Sequence, residues 1–363
     1  MEWIILLIKI IVVFNLAQGL ASICVWVERK GSALIQDRIG ANRAGAYFYT
    51  DNILLKPVFA VVRLLGILGI VNTLFCDAVK GLFKEDFVPK GTSNFIHSLG
   101  PFMAVFPVFL AYALIPVAPD FEIGGYKIRP QVANLDVGVL FIFAMASIAV
   151  YGVTIAGWCG NNKFSLLGGL RSAAQMISYE LALGVSLVSM VILYGTLDLY
   201  DMVVKQTVLI GGFLPAWGIF TQPLAFVIFF VAGMAETKRA PFDLPESESE
   251  LVAGYFTEYS GMKFLLFWLG EFAEIALLSA LVVLMFFGGW DIPYVTLPGD
   301  WIGALIGHIV FVSKVVFFCI LQIVVRWTLP RFRYDQLMHL GWKILLPASL
   351  LNLLITAVLK LAL

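Results

Sequence analysis

Eight apolar runs, each near or above the length that crosses a bilayer, constrain this chain more than any other feature. They are Trp3–Val27, Phe95–Ala118, Leu135–Trp158, Ser172–Tyr194, Leu214–Ala235, Lys263–Phe287, Trp301–Trp327 and Leu340–Lys360. A helix needs about 20 apolar residues to span the hydrocarbon core. Apolar types make up 61% of the 363 residues and charged types 13%, where a soluble domain carries roughly 25% charged residues. The expected fold is an all-α integral membrane protein, a single polytopic domain over residues 1–363 with about eight transmembrane helices. The first run begins at Trp3 with no basic segment before it and is too long for a signal peptide, so it reads as a spanning helix.

Between the first two runs lies Asn52–Phe83, apolar but interrupted by Lys56, Pro57, Arg63, Asp77 and Lys80. Its second half reads as an amphipathic helix on the membrane surface; part of it would otherwise be a ninth span or a re-entrant segment. Basic residues set the orientation. Eighteen Lys and Arg fall in or beside segments 28–94, 159–171, 236–262 and 328–339, against four on the other side. Those segments are therefore expected in the cytoplasm, with the N terminus outside. A net charge of zero argues against a nucleic-acid partner. Cys24, Cys76, Cys159 and Cys319 form no CxxC pair and read as small packing residues. His97, His308 and His339 are too scattered to suggest a metal site.

Charges inside spans are expensive, about 2.5–3.5 kcal/mol each on insertion scales, so they suggest a use. Glu180 lies in the fourth run, in RSAAQMISYELALG. Glu271 and Glu274 lie in the sixth, and their i, i+3 spacing puts both on one helical face. Lys314, in the seventh, is a candidate counter-ion for them. Burial can lift a carboxyl by up to about 3–5 pKa units, into the range of a proton relay; the alternative is a buried ion pair that fixes packing. The densest acidic stretch follows the fifth run, with Glu236, Asp243, Glu246, Glu248, Glu250 and Glu258 among Phe, Tyr and Leu. Ser247 and Glu250 read as a capping box, with Glu246 and Glu250 on one face of a short helix. The apolar interleaving implies partial burial, hence a relay or charge-sensing cluster rather than a solvated loop. Glu28, Arg29, Lys30, Asp37, Arg38 and Arg43 sit against the membrane surface, where lipid headgroups are one partner. Gly40 and Gly45 suggest a tight loop there. Arg326, Arg331 and Arg333 surround aromatics and Asp335, as a topology anchor or a docking surface for a soluble protein.

Taken in order, QDRIGANRAG, KEDFVPK, RSAAQMISYE, AETKRAPFDLPESESELVAGYFTEYSGMKF and LPRFRYDQLMHLGWK resemble the signature stretches of one family, the quinone-site membrane subunit of NADH:quinone oxidoreductase (respiratory complex I). The resemblance runs from about residue 20 to the C terminus. Ala41, Lys238, Phe256 and Glu274 depart from the family's usual residues, and the segment before KEDF is about one helix longer. The resemblance implies a bacterial cytoplasmic (inner) membrane protein that binds quinone as substrate. FMN and iron–sulfur clusters would lie only in partner subunits of a peripheral arm. Small membrane subunits and antiporter-like proton-pumping subunits would be its other partners. It also implies that Glu28, Arg29, Arg38, Arg239 and Phe242 stand near a quinone tunnel. The carboxylates Glu180, Glu236, Asp243, Glu246, Glu248, Glu250, Glu258, Glu271 and Glu274, with Lys314, would form the proton relay. Two other readings are the homologous subunit of an energy-converting hydrogenase and a stand-alone ion-coupled transporter; the latter usually shows inverted repeats, and none is visible here.

Overall fold

The computed structural model describes residues 2–40, 64, 69–70, 73, 76–123, 125–210, 212, 214–295 and 298–362. Among them, seven helices are long and apolar enough to cross a membrane, and an eighth is shorter. In chain order we label α1 Glu2–Ile35, α2 Asn94–Tyr112, α3 Gly138–Cys159, α4 Lys163–Tyr194, α5 Pro223–Glu236, α6 Gly261–Phe286 and α7 Trp301–Thr328. The last, α8 (Tyr334–Ala362), contains a π-helical turn at Leu340–Leu345. Two short antiparallel ribbons are the only strands among the described residues. β1 Phe121–Ile123 pairs with β2 Tyr126–Ile128, and β3 Leu209–Ile210 with β4 Leu214–Pro215. The all-α membrane bundle expected from the hydropathy is the fold observed.

The fifth apolar run departs from expectation. Only 14 residues, Pro223–Glu236, form α5, about 21 Å of helix against a core of about 30 Å. The start of the run is instead β4 and a four-residue helix, Gly218–Thr221. Pro215 and Pro223 cannot supply the N–H groups that a continuous helix needs, and Gln222 between the two helices has non-helical backbone (φ −140°, ψ 58°). A helix break at membrane depth needs polar partners from its neighbours. Here Gln222 accepts from Asn352 (3.0 Å) and donates to Thr356 (2.9 Å), both on α8.

Other helices overrun their expected ends. α1 extends 34 residues to Ile35, which puts Glu28 and Arg29 on a helix face. α4 begins at Lys163 and α8 at Tyr334, so both run into segments read as loops. Of the interrupted run Asn52–Phe83, the described part includes a seven-residue helix, Asp77–Phe83, packed on α6 beside Leu265. Arg43 and Gly45 lie outside the described residues, as does most of the first half of Asn52–Phe83, part of which is the alternative ninth span or re-entrant segment.

Lipid is as apolar as leucine, so close packing and internal hydrogen bonds, not water exclusion, hold such helices together. α6 is the central post: 89% of its most apolar window is buried, against 22% for α1. It packs against α1, α2, α5 and α7, while α4 packs against α3, α5 and α8. Gly152 of α3 shows why a small residue is required, since a Cβ there would collide with the Ala104 backbone of α2. The Tyr112 hydroxyl ties α2 to α6 by donating to the Ala273 carbonyl at 2.8 Å.

Candidate functional site

The α5–α6 connection is folded inward. Gln175 of α4, fully buried, donates to the carbonyls of Ala235 (2.7 Å) and Phe242 (2.8 Å) and so straps both sides of the turn. Gly254, at φ 54°, lies so close to Pro245 that a Cβ would overlap its carbonyl oxygen. Phe242 is buried between Tyr179 and Phe332. It is a packing anchor of the loop rather than a surface open to a ligand.

These straps deliver Arg239 to the centre of a charge cluster. Its guanidinium donates to Glu271 Oε2 at 2.9 Å, lies 3.7 Å from Glu28 Oε2, and stacks 4.4 Å from the Phe272 ring centre. Glu271 also accepts from the Tyr255 hydroxyl at 2.6 Å. Glu28 is shared with Arg326 of α7. Nearby, Arg331 donates to Asp243 at 2.9 Å and to Ser247 at 3.2 Å. Carboxylates from α1, α6 and the loop are thus knitted by three arginines. Such a pair is stable only when both partners stay in place, because each charge alone would be costly.

The cluster is not neutral in its response to protons. Burial, reinforced by Glu271, pushes Glu246 well above the usual carboxylate range. Burial likewise holds Asp243 up despite its arginine neighbours. Burial and the adjacent Glu271 raise the Tyr255 phenol. Burial works against the Arg239 charge, but Glu271 and Glu28 outweigh it and keep the guanidinium protonated. Glu28 Oε2, Asp243 Oδ1 and Arg239 Nε have no hydrogen-bond partner among the described residues.

One turn further along α6, Glu274 lines a separate cavity of about 40 Å³ with Glu236 and Thr237. The walls are apolar residues of α2, α3, α4 and α6. A water needs roughly 10–15 Å³ by this measure, so the space suits a short water file. Glu236 is within electrostatic reach of both Glu274 and Glu180. Glu180 of α4 accepts a hydrogen bond from Ser147 of α3. The order Glu28, Arg239, Glu271, Glu274, Glu236, Glu180 therefore runs from α1 across α6 and α5 to α4.

Several expected members stand elsewhere. Lys314 does not pair with Glu271 or Glu274. Its amine donates to the carbonyls of Phe287 (2.9 Å), Gly289 (3.0 Å) and Asp291 (2.7 Å), capping the far end of α6. Those carbonyls lack intrahelical partners and satisfy a buried ammonium better than a distant carboxylate would. Glu250 pairs with Arg171 at 2.6 Å on the surface, and Glu258 accepts from Asn162 at 2.9 Å. Ser247 makes no capping bond, and the helix it precedes is only Glu248–Leu251. Glu246 and Glu250 therefore do not share a helical face. The Glu248 side chain lies outside the described residues.

Beside the cluster, a groove of about 210 Å³ runs between α1, the helix Asp77–Phe83 and α6. Gln18, Ser22 and Val25 form one wall; Leu265, Trp268 and Leu269 form another. Arg29 pairs with Asp77 at its side and lies 5.2 Å from the Trp268 ring centre. Val25 and Trp268 stand one turn from Glu28 and Glu271 on their helices. Arg38 is further out, bonded to Gln36 and Ser32. Tyr255, Ser147 and Gln175 carry no signal in the sequence, because a lone polar residue in an apolar run does not announce its partner.

The bundle of long apolar helices, with a buried cluster of ionisable groups and an adjoining apolar groove, defines a multi-pass membrane protein. Residues 8–357 match the family described as NADH dehydrogenase. An NADH-quinone oxidoreductase subunit from Cytophaga hutchinsonii is 44% identical over 95% of this chain and 93% of its own. Its counterpart from Bdellovibrio bacteriovorus is 41% identical over 96% and 94%. Subunit 8 of the Rhodothermus marinus NADH-quinone oxidoreductase is 44% identical over 93% and 92%. The chain belongs to this family, a membrane subunit of NADH-quinone oxidoreductase.

Proposed function

We propose that the chain forms the access tunnel for quinone and couples quinone reduction to proton translocation. The observation that carries the reading is the adjacency of groove and charge line. The groove is apolar enough for an isoprenoid tail, and it ends one helical turn from the Glu28–Arg239–Glu271 cluster.

Electrons from NADH would arrive through FMN and iron–sulfur clusters held by peripheral-arm partners. Reducing a quinone by two electrons takes up two protons, which leaves local negative charge until they are delivered. Glu246 and Asp243, already poised to bind protons, respond to such a change. The signal then passes through Glu271 and Glu274 to Glu236 and Glu180, and on to small membrane and antiporter-like subunits. The N terminus would face outside the bacterial cytoplasmic membrane, as the basic segments require.

Photoaffinity labelling of the intact complex with a quinone-tail analogue tests the tunnel. Labels on Leu265–Leu269 or Val25–Arg29, competed away by quinone, are expected. Labelling that quinone does not compete, in a complex that still oxidises its donor, refutes it.

A further inference from the structure

Lys238 stands between the two halves of the charge line and belongs to neither. It is buried, yet its amine makes no ion pair or hydrogen bond among the described residues; the Tyr255 ring centre lies 5.8 Å from it. Arg239 is pinned by two carboxylates and an aromatic face. Arg326 and Arg331 are each tied to a carboxylate. Unlike Arg239, Arg326 and Arg331, Lys238 can move without breaking a salt bridge among the described residues.

Its backbone is also unusual. Lys238 follows the last turn of α5 with φ 55°, the left-handed conformation that glycine normally supplies at a helix C terminus. A side chain kept at such a position points to a use for that side chain. On one side, the Tyr255 ring beneath the ammonium carries the hydroxyl that donates to Glu271. On the other, its charge acts on Glu236 and Glu274, which line the 40 Å³ cavity. Lysine is a point charge on a flexible four-carbon stem, suited to changing partners where arginine's planar fork is not.

We propose that Lys238 is the movable counter-ion of the relay, its ammonium shifting between the Tyr255–Glu271 side and the Glu236–Glu274 cavity. Ionisation of a cavity carboxylate draws the ammonium over and leaves Glu271 more exposed to Arg239 alone. Reprotonation of the cavity releases it. Charge in one half is thereby coupled to charge in the other with no proton passing through Lys238 itself. This inference rests on the coupling role proposed above.

The test uses the intact complex in proteoliposomes and measures protons translocated per NADH oxidised. Lys238→Met is expected to lower that ratio about fivefold or more, within the usual range of coupling between linked sites. NADH oxidation by a water-soluble acceptor should be unchanged, and Lys238→Arg, which keeps the charge but not the mobile point-charge head, should stay below the wild-type ratio. An unchanged ratio in Lys238→Met, or a full wild-type ratio in Lys238→Arg, overturns the proposal. If Lys238→Met does not assemble, Lys238→Met/Glu274→Gln removes both charges; it should assemble and pump poorly. Wild-type pumping by that double variant, or its failure to assemble, makes Lys238 a packing residue and overturns the proposal too. Glu236→Gln separates the two levels. Intact pumping there removes the relay itself, whereas impaired pumping beside a normal Lys238→Met ratio removes only the counter-ion.

Discussion

Replacing Arg239 with methionine removes a guanidinium but keeps an apolar stem of similar length. Glu271 loses a partner at 2.9 Å and Glu28 one at 3.7 Å. At an effective dielectric near 20, a unit pair at this range attracts by roughly 5 kcal/mol. Glu271 retains Tyr255, and Glu28 retains Arg326, so part of the loss is offset. Removing one partner of a buried pair costs about 3–5 kcal/mol in practice. At about 2.1 cal/mol/K of unfolding entropy per residue, each kcal/mol shifts the melting temperature of a chain this long by roughly 1.3 °C, so a fall of about 4–6 °C is expected. The assay is thermal unfolding of the solubilised complex, followed by the loss of its folded membrane arm. Arg239→Met/Glu271→Gln should regain most of the loss, because the neutral amide needs no counter-charge and still accepts from Tyr255. Quinone-linked turnover should stay low in both variants. If Arg239→Met melts with the wild type, or the double variant melts as low as the single, the cluster is not held together by this pair.

Four further outcomes follow from the same geometry. Glu236→Gln, which leaves the cavity volume nearly unchanged, should lower protons translocated per NADH while the complex still assembles on a native gel. Glu246 and Asp243 bind protons more tightly in the folded chain, so folded stability should fall as pH rises from the ordinary carboxylate range near about 4 and up through their raised values. Melting curves across pH should show that decline, and Glu246→Gln should flatten it; an identical slope in the variant assigns the effect elsewhere. Lys314→Met strands three carbonyls at the end of α6 and should cost stability, at about 1–3 kcal/mol per unsatisfied group at most, with the pumping ratio unchanged; a reduced ratio would restore Lys314 to the relay. Gly152→Leu should block the α2–α3 contact and abolish accumulation of the complex, as measured by immunoblot of membranes.

Much of the architecture is legible because hydropathy is a one-dimensional property. A run of about 20 apolar residues has few alternatives to a helix in lipid, and seven of the eight runs form full-length helices. The remaining one shows the limit of that reasoning. Leu214–Ala235 is continuous in composition, but its prolines and Gln222 break it, and the buried Gln222 side chain finds partners only because Asn352 and Thr356 arrive from α8, 130 and 134 residues away. The capping box failed for a related reason: Arg331, from beyond α7, claims Ser247, and Arg171 claims Glu250.

The chain's own sequence determined that it is a membrane bundle, that ionisable residues interrupt its apolar runs, and which family it belongs to. These are matters of residue type and order along a chain. Tertiary structure alone decided which charges meet. Glu271 could have taken Lys314 and instead took Arg239, because the α5–α6 loop folds back along α6 while Lys314 points to the opposite end. Electrostatic partnership falls off with distance in space and is sharpened by burial, and neither quantity is written in sequence separation. The division of the carboxylates into an arginine-held cluster and a cavity pair, with Lys238 between them, exists only once α1, α4, α5 and α6 are packed together.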